Sequence, residues 1–149
     1  MSAYVDGLKM LARRELSEKQ VRQRLARKEY GQDDIDEAIA RLREERAIDD
    51  ERVAEAIART ETSVRRRGKL RVRMQIERAG IARATAKHAV DQVFDAIDDD
   101  ELLESSLRKR LRGDTIADDR EFQRLYRYLI GQGFDSERAL KALNARRRR

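Results

Sequence analysis

One apolar pattern recurs three times along the 149-residue chain, and this recurrence constrains the fold more than any other feature. The second copy lies 51 residues after the first, and the third lies 53 residues after the second. The copies are Val21, Leu25, Tyr30, Ile35 and Ile39; Val72, Ile76, Ile81, Ala86 and Val90; and Leu125, Leu129, Phe134, Ala139 and Leu143. Self-similarity at such a period predicts a tandem array of one supersecondary unit.

Each copy belongs to a longer segment that predicts three short helices. Further apolar residues at helical spacing lie upstream of the copies: Tyr4, Leu8 and Leu11; Val53, Ile57 and Val64; and Leu103, Leu107 and Leu111. The chain has no proline and is rich in Ala, Glu, Arg and Leu, which favour helix. We therefore predict an all-α fold, an elongated row, straight or curved, of three tandem three-helix repeats at 1–47, 48–98 and 99–149. Each helix-turn-helix-like unit buries little apolar surface alone and depends on its neighbours.

Local signals predict where helices begin and end. Ser17 followed by Gln20 predicts a capping box at a helix N-terminus. Gly80 and Gly133 stand just before the third apolar residue of their copies, where a helix C-terminus requires a positive φ. The first copy carries Glu29 at the equivalent position.

Positive charge is concentrated in two short segments. The formal net charge is +6, and residues 59–73 hold seven cations and one acid, Glu61. Residues 141–149 hold five cations and no acid. These two segments carry +6 and +5, so the formal charge of all other residues together is −5. Local concentration of one sign attracts an oppositely charged partner.

The stretch RRRGKLRVR, residues 65–73, is the candidate binding site. Its six cations are Arg65, Arg66, Arg67, Lys69, Arg71 and Arg73. The first three are expected to end one helix, where the helix dipole favours cations without any partner. The other three begin the next helix, where the dipole disfavours them, so an anionic partner accounts for them better. Lys69 and Arg73 share a face one turn apart, and Arg66 comes near them across the turn. We interpret the set as a phosphate- or carboxylate-binding patch, with a solvated turn as the alternative.

Four other features have plainer interpretations. The tail RRRR, residues 146–149, is either a disordered end or a source of nonspecific attraction to a polyanion. Tyr126 and Tyr128 flank a cation, as base-stacking residues do, but their helical spacing favours core packing. His88, the only histidine, predicts a surface position and not a metal ligand. The acidic run 98–101 predicts a linker that also caps the next helix.

The sequence contains no catalytic constellation. It has no cysteine, no glycine-rich phosphate loop and no Ser–His pair that we can place, so we expect no catalytic residue, metal site or cofactor. The lack of cysteine fits a reducing cytoplasm. No stretch approaches the roughly 20 apolar residues of a membrane span, and the amphipathic N-terminus lacks the apolar run of a signal peptide. We therefore expect a cytoplasmic, non-enzymatic monomer that does not bind membranes.

Five segments resemble the RecX family in the same order along the chain. They are LSEKQVRQRL (16–25), IDEAIARL (35–42), AIDDERVAEAIA (47–58), RRGKLRVRMQIERAGI (66–81) and QGFDSERALKAL (132–143). The family often has an aromatic residue where Val53 stands, glycine at Arg66 and proline at Lys69. These departures leave the predicted fold unchanged and make the turn around Gly68 more cationic.

The resemblance implies a regulator of the RecA recombinase. It implies that the chain binds the RecA–single-stranded DNA filament and damps ATP hydrolysis, strand exchange and co-protease activity, by blocking filament growth or destabilising the filament. RecA is then the protein partner, and contacts with single- or double-stranded DNA are secondary. The alternative is a direct DNA-binding protein that uses helix-turn-helix-like hairpins such as residues 69–91. A purely structural helical scaffold is the third hypothesis.

Overall fold

The computed structural model describes residues 2–147, and these residues form nine α-helices and no strand. The helices are α1 Ala3–Arg13, α2 Glu18–Arg27, α3 Gln32–Glu44, α4 Asp50–Ser63, α5 Lys69–Arg78, α6 Arg83–Asp95, α7 Asp99–Arg108, α8 Asp119–Gly131 and α9 Ser136–Asn144. An isolated parallel bridge joins Ile116 to Arg147. The predicted all-α class is confirmed.

Contacts within the described chain gather it into two compact units. The first unit runs through Ala56 and includes Ile76–Ala89, and the second consists of Ile57–Gln75 and the residues from Val90 onward. Helices α4, α5 and α6 each contribute residues to both units. Three helices lie within each predicted repeat, but the repeat boundaries themselves stay a prediction.

The core of the first unit lies between α1, α2 and α3. The first copy of the apolar pattern is buried there, apart from Tyr30, which is half-buried. Gly7 lets α1 approach α3 closely, since a Cβ at this position would lie 2.8 Å from Leu42 Cδ1. The buried face of α1 consists of Ala3, Asp6 and Gly7. Of the residues predicted at helical spacing, Tyr4 and Leu11 are half-buried and pack against this core, whereas Leu8 is 37% exposed.

The second unit has its own core, made largely by α7, α8 and α9. Its buried residues are Leu103, Leu107, Ile116, Phe122, Leu125, Leu129, Phe134, Ala139 and Leu143. Each fully buried leucine stabilises the fold by about 2 kcal/mol. Tyr126 and Tyr128 are half-buried against this core, as predicted, and their hydroxyls reach Ser136 Oγ at 2.9 Å and Ser106 Oγ at 3.3 Å.

The predicted helix ends are present. Ser17 Oγ accepts a hydrogen bond from the Gln20 N–H at 3.2 Å, and Gln20 Oε1 accepts one from the Ser17 N–H at 3.0 Å, which completes the capping box. Gly80 and Gly133 have φ values of +84° and +98°. Glu29 takes the same left-handed conformation with φ +70°, which costs a residue with a side chain about 1 kcal/mol.

Candidate partner-binding surface

The six predicted site cations lie where α4 ends and α5 begins. Helix α4 ends at Ser63, whose hydroxyl donates to the carbonyl of Arg59 at 2.7 Å. Arg66 then takes a positive φ of 53° as the chain reverses before α5. The spacing of Val53, Ile57 and Val64 predicts that Val64 continues the apolar face of α4, but the helix ends at Ser63 and Val64 is 65% exposed. We call residues 64–74 the α4–α5 corner.

Two of the six cations bind the one acid of this segment. Glu61 is only 7% exposed, and its carboxylate accepts a hydrogen bond from Arg67 Nη1 at 2.8 Å. Arg65 Nη1 lies 3.6 Å from the other carboxylate oxygen. A buried carboxylate requires a close cation, because an uncompensated buried charge is strongly destabilising. Arg67, with 16% of its side chain exposed, therefore stabilises the second unit, and the more exposed Arg65 contributes to the same cluster.

A third cation, Arg71, helps to fix the α4–α5 corner to the turn between α8 and α9. Its Nη1 donates to the carbonyl of Gly131 at 2.9 Å, where the last carbonyls of α8 lack helical partners. The Gly68 N–H donates to the carbonyl of Gln132 at 2.8 Å. Only glycine fits there, since a Cβ on Gly68 would lie 2.6 Å from the carbonyl oxygen of Gly133. These contacts hold the corner in one position within the second unit.

The remaining cations, Arg66, Lys69 and Arg73, form no ion pair with an acid among residues 2–147. Lys69 Nζ lies 5.6 Å from the ring centroid of Phe94, and Lys69 and Arg73 are one turn apart on α5. The six predicted residues thus divide into two sets of three. Arg65, Arg67 and Arg71 bind acceptors of the chain itself, whereas Arg66, Lys69 and Arg73 have no acidic partner among residues 2–147.

Three exposed apolar side chains lie among these cations, and the sequence interpretation did not assign them to the site. Val64, Leu70 and Met74 are 65%, 55% and 45% exposed. Leu70 and Met74 are four residues apart on α5 and share one face, whereas Val72 and Ile76 are fully buried on another. The sequence contained a signal for them: α5 has two apolar faces, and only the face of Val72 and Ile76 belongs to the repeating pattern. The α4–α5 corner is therefore a mixed apolar and basic surface.

The basic tail is in part built into the second unit. Arg146 Nη2 binds Glu104 Oε2 at 2.7 Å, and Arg147 Nη2 binds Asp119 Oδ1 at 3.0 Å. The last two arginines of the tail lie outside the described residues. Arg146 and Arg147 thus have local partners, which makes the tail a weaker candidate for the site than the corner.

The single histidine lies on the surface, and the acidic run 98–101 has a structural role. His88 is exposed on α6, as predicted, and the carboxylate of Asp98 caps α7 by accepting from the N–H groups of Asp100 and Glu101. Within the part of the chain that the structure describes, no three His, Cys, Asp or Glu side chains are grouped to hold a metal ion. No helix formed by residues 2–147 is long and apolar enough to cross a bilayer.

Comparison with known proteins shows the family of the chain. A family model described as the first three-helix domain of RecX matches residues 3–42. The regulatory protein RecX of Syntrophotalea carbinolica is 30% identical over 136 residues, which cover 90% of this chain and 89% of that protein. The regulatory protein RecX of Acidithiobacillus ferrooxidans is 32% identical over 143 residues, which cover 96% of this chain and 89% of that protein.

A solved structure shares the fold. The crystal structure of RecX from Lactobacillus salivarius matches with a TM-score of 0.80 and covers 96% of this chain and 95% of that chain, at 19% sequence identity. The helical repeat fold is therefore that of a known structure, and the sequence relatives extend over nearly the whole chain. The resemblance inferred from the five segments is confirmed, and the chain belongs to the RecX family of regulatory proteins.

Proposed function

We propose that this chain regulates the RecA recombinase by binding the RecA–single-stranded DNA filament through the α4–α5 corner. Binding damps ATP hydrolysis, strand exchange and co-protease activity. The relatives named regulatory protein RecX support a regulatory role, and the absence of a recognisable catalytic constellation in the sequence agrees with action by contact.

The observation that carries this proposal is the composition of the corner. Val64, Leu70 and Met74 are exposed beside Arg66 and Lys69. Exposed apolar groups ringed by polar residues mark protein-binding surfaces, and arginine and methionine are enriched at protein–protein interfaces. Phosphate binding alone requires the cations and gives the apolar residues no role. The corner therefore fits a protein partner, with nearby DNA phosphates as a secondary contact.

The alternative, direct DNA binding by the hairpin 69–91, is less well supported. Its second helix, α6, exposes the cations Arg83 and Lys87 but also the acids Asp91 and Asp95, so their formal charges cancel. A helix that enters a groove of DNA usually presents a surplus of positive charge. Filament binding does not require such a surplus on α6.

The test is inhibition of the single-stranded-DNA-dependent ATPase of RecA. We expect the wild-type chain to inhibit and the triple variant Arg66→Ala, Lys69→Ala and Arg73→Ala to lose most inhibition. Arg71 is left in place because it binds the carbonyl of Gly131. The helical circular dichroism signal should be retained, since Lys69 and Arg73 lie in α5, where alanine is a good helix former, and Arg66 lies outside the helices.

A matched control removes the same charge from another surface of the second unit. The exposed arginines Arg112, Arg120 and Arg127, each changed to alanine, lower the net charge by the same three units. We expect this control to inhibit like the wild type. Equal loss in both variants would mean that only net charge matters, and full inhibition by the corner variant would remove the corner from the site.

The apolar half of the corner separates the two hypotheses. Changing Leu70 and Met74 to serine should weaken inhibition by about 30-fold if the pair contributes a hot spot of about 2 kcal/mol. A DNA-binding surface would keep its affinity in this variant, because all its cations remain. Unchanged inhibition by the serine variant would therefore count against a protein contact here.

A further inference from the structure

A second basic surface lies in the first unit, in a groove between the C-terminal halves of α1 and α2. We infer that this α1–α2 groove binds the phosphate backbone of nucleic acid, independently of base sequence and of RecA. The groove has a volume of about 510 Å³. Six cations line it: Lys9, Arg13, Arg14, Arg24, Arg27 and Lys28.

The arginines of the α1–α2 groove carry charge that the described part of the chain does not compensate. The four arginines have no hydrogen bond or ion pair through their side chains among residues 2–147. The one acid in the lining, Asp6, is 6% exposed and accepts a hydrogen bond from the Tyr30 hydroxyl at 2.5 Å. Lys28 Nζ lies 4.0 Å from the same carboxylate oxygen. Counted over residues 2–147, the lining carries a formal charge of +5, and Asp6, its one acid there, already has partners.

Helix-end electrostatics account for only part of this arrangement. Arg13, Arg24 and Arg27 lie in the last turns of their helices, where cations complement the dipole. The helix dipole favours cations at the end of each helix separately. It does not explain why the cations of two helix ends line the same groove. The spacing of Arg24, Arg27 and Lys28 puts all three on one face of α2, or just past its end. Close like charges repel, so a bound anion relieves a cost that the free protein carries.

The lining favours nucleic acid over an acidic protein. Guanidinium groups match phosphate oxygens with two parallel hydrogen bonds. Among the described residues, Met10 is the one apolar residue of the lining, and it is half-buried. The groove thus lacks the aromatic and aliphatic anchors that dominate protein interfaces, and it lacks aromatic rings on which bases stack. A site of this kind reads the backbone and not the bases.

Another open groove on the second unit provides a comparison. It is lined by Arg112, Arg120, Arg124 and Arg127, but Asp118 and Glu121 also line it, which reduces its formal charge to +2. Glu121 in addition lies 3.9 Å from one of the arginines. The α1–α2 groove is therefore the stronger candidate for a polyanion.

The test measures fluorescence anisotropy of a labelled oligothymidylate with the full chain and without RecA. The variant Arg13→Gln, Arg24→Gln and Arg27→Gln should bind weakly, and the slope of log affinity against log salt should fall by about 2, since each lost contact with a single strand removes about 0.7. The control Arg112→Gln, Arg120→Gln and Arg127→Gln loses the same charge and should keep most of the slope. Equal loss in both variants would overturn the assignment.

Three further measurements support the test. The single variant Arg27→Gln changes one exposed side chain, and its slope should fall by about 0.7 with its helical signal intact. Thermal unfolding of the wild type should shift upward on addition of the oligonucleotide, whereas the triple variant should not respond. Polyglutamate that competes with the oligonucleotide at equal charge concentration would instead assign the groove to acidic proteins. The binding assay contains no RecA, so its outcome does not depend on whether the α4–α5 corner inhibits RecA.

Discussion

Changing Gly68 to alanine tests how the α4–α5 corner is held in place. A Cβ at this position would lie 2.6, 2.7 and 2.8 Å from Gly133 O, Gly133 C and Phe134 N. All three are backbone atoms, which a side-chain rotation cannot move, and normal contacts between such atoms are about 3.5–4.0 Å. Helix α5 must therefore shift away from the turn between α8 and α9.

The magnitude follows from what that shift disturbs. Overpacking of a well-packed site costs about 1–3 kcal/mol. Two backbone hydrogen bonds cross the same contact, from the Gly68 N–H to Gln132 O at 2.8 Å and from the Leu70 N–H to Gly133 O at 3.2 Å. Each contributes about 1 kcal/mol net. We expect Gly68→Ala to lower the free energy of unfolding by about 3 kcal/mol, which lowers Tm by roughly 6–12 °C for a chain of this size.

Gly131 provides the matched control. It is the last residue of α8, and a Cβ there meets nothing within 4 Å. Gly131→Ala should raise the free energy of unfolding by about 0.5–1 kcal/mol, because glycine loses more backbone entropy on folding than alanine. Urea unfolding followed by circular dichroism measures both variants. If Gly68→Ala is as stable as the wild type, the close approach to Gly133 does not exist in solution and the reasoning is wrong.

Three further predictions concern single side chains in the two units. Glu29→Gly should stabilise the chain by about 1 kcal/mol in urea unfolding, because φ is +70° there, and a destabilised variant would contradict this. Glu61→Gln should destabilise by about 3 kcal/mol, because it leaves the largely buried Arg67 guanidinium without its carboxylate, and a loss well under about 1 kcal/mol would refute the buried pair. The hydrogen bond from Tyr30 lowers the pKa of Asp6 below its ordinary value of 3.8, so the stabilisation is complete above that pH and is lost as pH falls through the lowered pKa. The stability difference between the wild type and Tyr30→Phe should therefore shrink on acidification below 3.8, and a difference that stays constant with pH would exclude this coupling.

The sequence allowed the helices and several of their ends to be predicted, because the signals for these are local. Ser17 and Gln20 form the predicted capping box, and the glycine positions in the second and third copies have positive φ. The equivalence of Glu29 to these glycines followed from the repeat, and its φ of +70° agrees. Leu42 shows where local signals fail: its closeness to Gly7 depends on how two helices pack, and spacing along α1 alone does not reveal it.

The basic surfaces were harder to predict, for a physical reason. Charge counted along the chain finds runs such as residues 65–73, but it does not show which cations bind an internal acid. The burial of Glu61, which engages Arg67, is a tertiary property. The α1–α2 groove was missed because its cations come from two helices, and nearby acids such as Glu15 and Glu18 dilute the count. Spacing along each helix, as at Arg24 and Arg27, was the usable signal.

The proposed contact between the α4–α5 corner and the RecA filament is tested most directly with a fluorescent reporter. The chain has no cysteine, so Met74→Cys provides a single attachment site at a side chain that is 45% exposed. Thr115→Cys, at an exposed position between α7 and α8, provides the control. On addition of RecA assembled on single-stranded DNA, an environment-sensitive dye at position 74 should shift to the blue while the dye at position 115 stays unchanged. A shift at position 115 with none at position 74 would contradict the proposed contact.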